Sequence, residues 1–215
     1  MRGGPLALPE LLPLVASLRA VWGNGAWPAD TGFMADAMAC VLRTPGPFLD
    51  CGSGLSTIVL GVLARERGTA VWSLEQDAEW ARVVQSRLDM LGLGNVTLVH
   101  APLELVDGAV WYGFDDRIMP RHFPAVFCDG PSVGRSRWPA PVHEAWRSAV
   151  VKELRKRGIT FETILLDDAE DPRCPALRDA WHREGLRTRV VVTPSGHHLV
   201  AEWPQSASAP AHRGP

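Results

Sequence analysis

The stretch Phe48-Leu49-Asp50-Cys51-Gly52-Ser53-Gly54-Leu55-Ser56-Thr57 decides how this 215-residue sequence is read. A short apolar run ends in an acid, two glycines follow one position apart, and an apolar segment of helical period begins at Leu55. A strand–turn–helix passage of this kind uses glycine where the turn is tight and the backbone must come close to a ligand. The helix N-terminus that follows offers free N–H groups to an anion.

Outward from that loop the chain alternates. Toward the N-terminus, helices are expected over about Glu10–Trp22 and Gly32–Arg43, the second capped by Asp30 or Thr31. Toward the C-terminus, a helix from Leu55 to Arg67 is stopped by Gly68, and Ala70–Leu74 reads as a strand ending at Glu75. A helix over Ala78–Leu91 with Asp77 as cap, then strands at Val96–His100 and Ala125–Cys128, continue the pattern. Helices over Pro141–Arg157 and Pro175–Glu184 flank a strand at Thr163–Leu166. The last strands, Thr188–Thr193 and His198–Trp203, are joined by too few residues for a crossover and must be antiparallel.

Several strands are continuous apolar runs, as expected of strands buried on both faces. The result is an α/β fold with a mostly parallel, seven-stranded sheet ending in an antiparallel hairpin. Residues 1–44 read as a helical cap, 45–203 as the α/β domain and 204–215, with three prolines and no apolar period, as a disordered tail.

Composition narrows the classes. The formal charge of -2 and pI near 6.4 give no bulk electrostatic reason to expect a nucleic-acid partner. No run of ~18 apolar residues predicts a membrane span, and Pro9, Glu10 and Pro13 interrupt the N-terminal apolar stretch that resembles a signal peptide. Cys40, Cys51, Cys128 and Cys174 show no paired spacing and read as reduced thiols of a cytoplasmic protein. Only two of the 22 basic residues are lysines, a bias that points to GC-rich coding and a bacterial source.

Ligands of open α/β sheets bind at the carboxyl ends of the strands. Here those ends carry Asp50, Glu75, Asp129 and the pair Asp167-Asp168. One such acid is as well explained by capping the next helix; their convergence is harder to explain that way. Glu75 stands 21 positions after Gly54, where a carboxylate accepts bonds from both ribose hydroxyls. Thr57 in place of a third glycine, and an acid before the first, speak against NAD.

In this order and spacing the motifs resemble the class I S-adenosylmethionine-dependent methyltransferases, a Rossmann-like doubly wound fold. The resemblance is carried by Asp50 to Asp129 and, in pattern, extends to Trp203. It implies S-adenosyl-L-methionine as cofactor, with the methionine moiety held at Asp50, Gly52, Ser53, Gly54, Ser56 and Thr57. Glu75 would take the ribose, Gln76 would flank the adenine, and Ala101, Pro102 and Leu103 would border its edge. Asp129, in Phe127-Cys128-Asp129-Gly130-Pro131, matches the motif at the fourth strand end. It is expected at the cofactor as well, as a wall of its pocket, and is the candidate general base for an oxygen acceptor. A narrower similarity, on the same loop, Ala101-Pro102-Leu103, Asp129-Gly130-Pro131 with Arg135, and Leu166-Asp167-Asp168-Ala169, is to a bacterial branch, some members of which act on sugars or other small hydroxylated molecules. No substrate is carried over from that branch; the expected activity is methyl transfer to a small-molecule acceptor, an oxygen nucleophile first. Aminopropyl transfer, or a catalytically silent cofactor-binding protein working through partner contacts, remain alternatives.

Asp129, Asp167 and Asp168 resemble in position the divalent site of catechol-type O-methyltransferases. Asp168 stands where asparagine is usual, and a metal is not favoured. His197-His198 is expected to place one ring in the core and one outside, because adjacent strand residues face opposite ways. Trp27, Arg135, Arg137 and Asp168 are candidates for the acceptor pocket, the arginines as a bidentate clamp for an anion or as a solvated loop. Trp72, Trp80, Trp146 and Trp181 read as core. Trp22, Trp27, Trp111 and Trp138 fall in loops or at the N-terminal helices, as an apolar lid or as packing onto the sheet. The acceptor and the oligomeric state are not legible.

Overall fold

The computed structural model describes residues 8–22, 29–106, 108–132 and 147–204. Helix α1 (Leu8–Trp22) leads to α2 (Thr31–Arg43), whose first turn is capped by the Asp30 carboxylate, accepting from the Gly32 and Phe33 N–H groups. Strand β1 (Phe48–Cys51) runs through the glycine loop into α3 (Leu55–Glu66). Then come β2 (Val71–Glu75), α4 (Ala78–Met90) with its Asp77 cap, and β3 (Val96–His100). The pair β4 (Leu103–Val106) and β5 (Ala109–Tyr112) precedes β6 (His122–Cys128). Helix α5 (Ala149–Lys156), β7 (Thr160–Leu166), α6 (Cys174–Arg183), β8 (Arg187–Thr193) and β9 (Gly196–Glu202) complete the chain.

The seven-stranded sheet has the order β3-β2-β1-β6-β7-β9-β8. The first five strands of that order are parallel to one another, and β9 pairs antiparallel with both β7 and β8. The sheet is therefore as expected, including the terminal hairpin. Alternate residues feed two core layers, as the two-residue period of a strand requires. Phe48, Phe127, Leu165 and Val200 join Leu11, Val15, Phe33 and Leu60 from α1, α2 and α3 on one face. Leu49, Val126, Ile164 and Leu199 join Trp111, Leu154 and Trp181 on the other.

Some expectations are corrected. No strand was expected between Leu103 and Tyr112, yet β4 and β5 form a separate antiparallel hairpin, Leu103 opposite Tyr112. Trp111, expected in a loop, is buried there, its ring edge-on to Tyr112 at 5.1 Å between centroids. Strands β6 and β7 each begin three residues earlier than expected. Only Pro194 and Ser195 separate the paired residues Thr193 and Gly196 of the last hairpin, tighter than the sequence reading.

Of the tryptophans read as core, Trp181 is buried, while Trp72 and Trp80 are half-buried. His198 is buried and His197 half-buried, and the four thiols are free. No described helix is long and apolar enough to cross a membrane. Trp27, Arg135, Arg137, Trp138, Trp146, residues 141–146 of the helix expected over Pro141–Arg157 and the tail from Gln205 lie outside the described residues; within the described ones that helix begins only at Ala149, because Arg147 takes a φ of +51° that a right-handed helix excludes.

The hairpin covers the face of the sheet beneath the glycine loop, and Trp111 anchors it. Trp111→Ala removes a fully buried indole and is expected to cost about 3–5 kcal/mol of stability in urea unfolding. Leu105→Ala, on the exposed side of the same hairpin, should stay within ~0.5 kcal/mol. Equal effects of the two would show that the hairpin is not part of the core.

Candidate functional site

The carboxyl ends of β1, β2, β6 and β7 meet at one edge of the sheet. Two backbone contacts set their spacing: the Cys51 carbonyl accepts from the N–H of Asp129 at 3.1 Å and of Gly130 at 2.7 Å. Gly52 follows with φ of +103°, and a Cβ there would stand 2.7 Å from the Gly130 nitrogen. A side chain is excluded both by conformation and by space. A Cβ built on Gly54 meets nothing within 4 Å, so the space beside the start of α3 is open, while the Gly54 N–H itself donates to the Thr57 hydroxyl at 3.0 Å.

Asp50 supports this loop from below. It is 1% exposed, and its Oδ2 accepts from the hydroxyls of Thr57 at 2.6 Å, Ser73 at 3.2 Å and Ser56 at 3.3 Å. Its Oδ1 is buried without a hydrogen-bond partner among the described residues. Burial pushes the Asp50 carboxyl up to about 7 despite the hydroxyl bonds that favour its charge. Ser56 and Thr57, expected at the cofactor, are buried and turned toward Asp50.

Glu75 closes the other side of the loop. Its Oε2 accepts from the Ser53 hydroxyl at 2.7 Å and the Ser53 N–H at 3.1 Å, and its Oε1 from the Asp77 N–H at 2.8 Å. The Trp80 indole N–H donates to the Ser53 carbonyl at 2.9 Å. The sequence reading gave Trp80 a packing role only.

Gln76 donates to the Ser132 carbonyl at 3.4 Å, and its side-chain oxygen is buried without a partner among the described residues. Ala101 donates its N–H to the Glu75 carbonyl at 2.7 Å, which holds the start of Ala101-Pro102-Leu103 beside β2. Ala101 is buried, Pro102 exposed and Leu103 half-buried.

Beyond β6 and β7 a second cluster forms. The Arg147 guanidinium, 4% exposed at the residue, lies 3.7 Å from Asp129 Oδ1 and 3.2 Å from Asp168 Oδ2. It also donates to the Asp167 carbonyl at 3.1 Å and to the Asp129 carbonyl. Asp167 is buried and accepts the Asp30 N–H at 2.6 Å, while the Asp30 carboxylate accepts the Ser195 hydroxyl at 3.1 Å. Burial raises Asp129 to about 6, against the pull of Arg147. Burial, with the charge of Asp129 next, raises Asp167 to about 8. Nothing local in the sequence marked Arg147; its role comes from the folding of two strand ends around it.

The site residues expected from sequence thus fall into two neighbouring groups: the loop, Glu75, Gln76 and Ala101–Leu103 in one, and Asp129 and Asp168 with Arg147 in the other. The loop group suits S-adenosyl-L-methionine: open space beside Gly54 at a helix N-terminus, orphaned buried oxygens on Asp50 and Gln76, and a strand-end carboxylate. A divalent ion does not suit the second group, because a guanidinium lies among its carboxylates. Among the described residues no cluster of three His, Cys, Asp or Glu side chains is arranged to hold a metal. His198 donates or accepts with Asp36 at 2.7 Å, and the His197 N–H goes to Glu170 at 3.1 Å, so the two histidines serve different contacts.

The sequence matches no known family profile, and no curated protein matches it. Solved structures do match. The SAH-bound methyltransferase PaMTH1 of Podospora anserina is 14% identical, with a TM-score of 0.61 over 94% of this chain and 90% of that one. The precorrin-6y C5,15-methyltransferase of Geobacter metallireducens is 15% identical, with a TM-score of 0.58 over 83% and 91%. An O-methyltransferase of Bacillus cereus in complex with SAH is 14% identical, with a TM-score of 0.56 over 90% of each chain. At these identities the likeness is one of fold: the chain has the Rossmann-like fold of class I methyltransferases.

The raised carboxyls fix a pH dependence. An acid whose pKa is higher in the folded chain than its unfolded value of about 4 takes up a proton on folding. Stability then falls as pH rises from the unfolded value to the folded one. With Asp50 near 7, Asp129 near 6 and Asp167 near 8, the melting temperature should drop between about pH 5 and pH 8. Asp50→Asn and Asp167→Asn should each flatten the profile in differential scanning calorimetry. A melting temperature that climbs over this window would contradict the assignment.

Proposed function

We propose that the chain is an S-adenosyl-L-methionine-dependent methyltransferase whose acceptor is a small molecule with an oxygen nucleophile. The observation that carries the reading is the cradle itself: open space beside Gly54 at the start of α3, next to a buried strand-end carboxylate, Glu75, that already organises the loop. The methyltransferase folds it shares, an O-methyltransferase among them, support it.

Gly52, Ser53 and Gly54 would line the cofactor's amino-acid end, Glu75 its ribose, and Gln76 with Ala101–Leu103 its base. Asp50, Ser56 and Thr57 act one layer down, holding the loop in shape. Bound in that cradle, the cofactor supplies an electrophilic methyl group on a sulfonium sulfur, which leaves with the bonding pair.

The work of the chain is then mostly positioning, since holding two reactants in line removes much of the entropic barrier. Asp129 receives the proton that the acceptor's hydroxyl loses. Its side chain is 25% exposed, so an acceptor can reach it. With the carboxyl raised to about 6, it is mostly ionised at neutral pH and still basic enough to take that proton. Asp168, more exposed and paired to the same arginine, stands next to it at the acceptor side.

Calorimetry with S-adenosylhomocysteine tests the cofactor half. The wild-type chain should bind it and ignore NAD, and Glu75→Ala should lose about 1–3 kcal/mol of binding. Tight binding of NAD, or unchanged affinity in Glu75→Ala, would overturn the reading. Labelled S-adenosyl-L-methionine against a panel of small hydroxylated acceptors tests the rest. On an accepted substrate, Asp129→Asn should lower turnover ~10²–10⁴-fold and change S-adenosylhomocysteine affinity much less. An unaltered rate would remove Asp129 from the chemistry.

A further inference from the structure

Two carboxylates, Asp129 and Asp168, stand at the ends of β6 and β7 with the buried Asp167 beside them, and the cation that lies between the two is part of the chain. Arg147 reaches across both strand ends: its guanidinium lies 3.2 Å from Asp168 Oδ2 and 3.7 Å from Asp129 Oδ1, and it donates to the backbone carbonyls of Asp129 and Asp167. Being buried, that charge needs those partners, and the carboxylates need a cation between them to stand so close.

The backbone carries the cost of the arrangement. Arg147 has φ of +51° and Asp168 φ of +58°, and they are the two non-glycine residues with positive φ among the described residues. A bulky side chain rarely adopts this left-handed conformation, and it persists only where surrounding structure enforces it. Both ends of one ion pair are held so.

Oxygen-rich clusters of this composition commonly hold a divalent ion. We propose that Arg147 is the resident cation of this site: it fills the place an ion would need, fixes Asp129 and Asp168 at the acceptor side, and lets methyl transfer proceed without a metal. Arg147 acts through Asp129 and is a positioning residue. The role of Asp129 in the chemistry rests on the methyltransferase reading; the exclusion of a divalent ion rests on the geometry of Arg147 alone.

The test uses manganese(II) as probe, titrated into the full chain without cofactor, with free ion read by electron paramagnetic resonance. The wild-type protein should leave the ion free. Arg147→Ala should bind one ion per chain, Arg147→Lys should again bind none because an ammonium restores the charge, and Asp168→Asn added to Arg147→Ala should abolish the gained binding. Circular dichroism checks each fold. Should Arg147→Ala not fold, Arg147→Gln, which keeps most of the side-chain volume without the charge, takes its place.

Stoichiometric manganese binding by the wild-type chain that Asp129→Asn or Asp168→Asn removes would overturn the proposal. So would a folded charge-free variant at position 147 that stays metal-free. On an acceptor found in the panel, chelation should leave the rate unchanged; loss on chelation with rescue by Mg²⁺ would also overturn it. Failure to find any acceptor bears on the methyltransferase reading and leaves the manganese result standing.

Discussion

One carbonyl oxygen, that of Cys51, receives the N–H groups of both Asp129 and Gly130, and the geometry of the whole site follows from it. The contact draws the ends of the two central strands together more closely than side chains would allow. It therefore demands glycine on both sides: Gly52, which meets the Gly130 nitrogen, and Gly130, which meets the Gly52 backbone and the Tyr112 hydroxyl. Once the two turns touch, the loop before α3 and the carboxylate of Asp129 have no freedom to drift apart. The β4–β5 hairpin packs Trp111 and Tyr112 beneath them and closes the face of the sheet.

Charge is the second constraint. Burial holds Asp50, Asp129 and Asp167 above the usual carboxylate range, so the edge of the sheet that carries the candidate site is also the least comfortable part of the molecule. The relief is specific to each. Asp50 has three hydroxyl donors, Asp167 a backbone N–H, and Asp129 shares a guanidinium with Asp168. Glu75 is engaged by both the glycine loop and the start of α4, so a ligand approaching it meets an acid already oriented. Two apolar layers around the sheet carry the stability that this edge lacks.

Much of this was legible in the sequence, and the reasons differ by element. Apolar runs ending in acids identified the parallel strands, because a strand buried on both faces leaves its mark in consecutive residues. Asp30 and Asp77 announced helix starts through local hydrogen bonding alone, and both do cap. The β4–β5 hairpin was missed although an Asp-Gly pair at 107–108, flanked by apolar residues, is a recognised hairpin signal; its strands are four residues each and stand apart from the main sheet. Trp80 and Arg147 were missed for a deeper reason. Each acts across the fold, on Ser53 and on the ends of β6 and β7, and no local pattern records a partner that distant. The same holds for the His198–Asp36 pair, whose members are 162 positions apart.

The bridge at Asp30 bears on how the protein is built in time. Its N–H reaches Asp167 across 137 positions and its carboxylate reaches Ser195 across 165. The loop bonds to Glu75, by contrast, span 22 positions. Contacts between distant residues form later because the chain must first lose the entropy of closing a long loop. The glycine loop and Glu75 can therefore come together while the C-terminal third is still being synthesised, whereas the bridge at Asp30 waits for the β8–β9 turn to emerge and hold the N-terminal helices to the sheet.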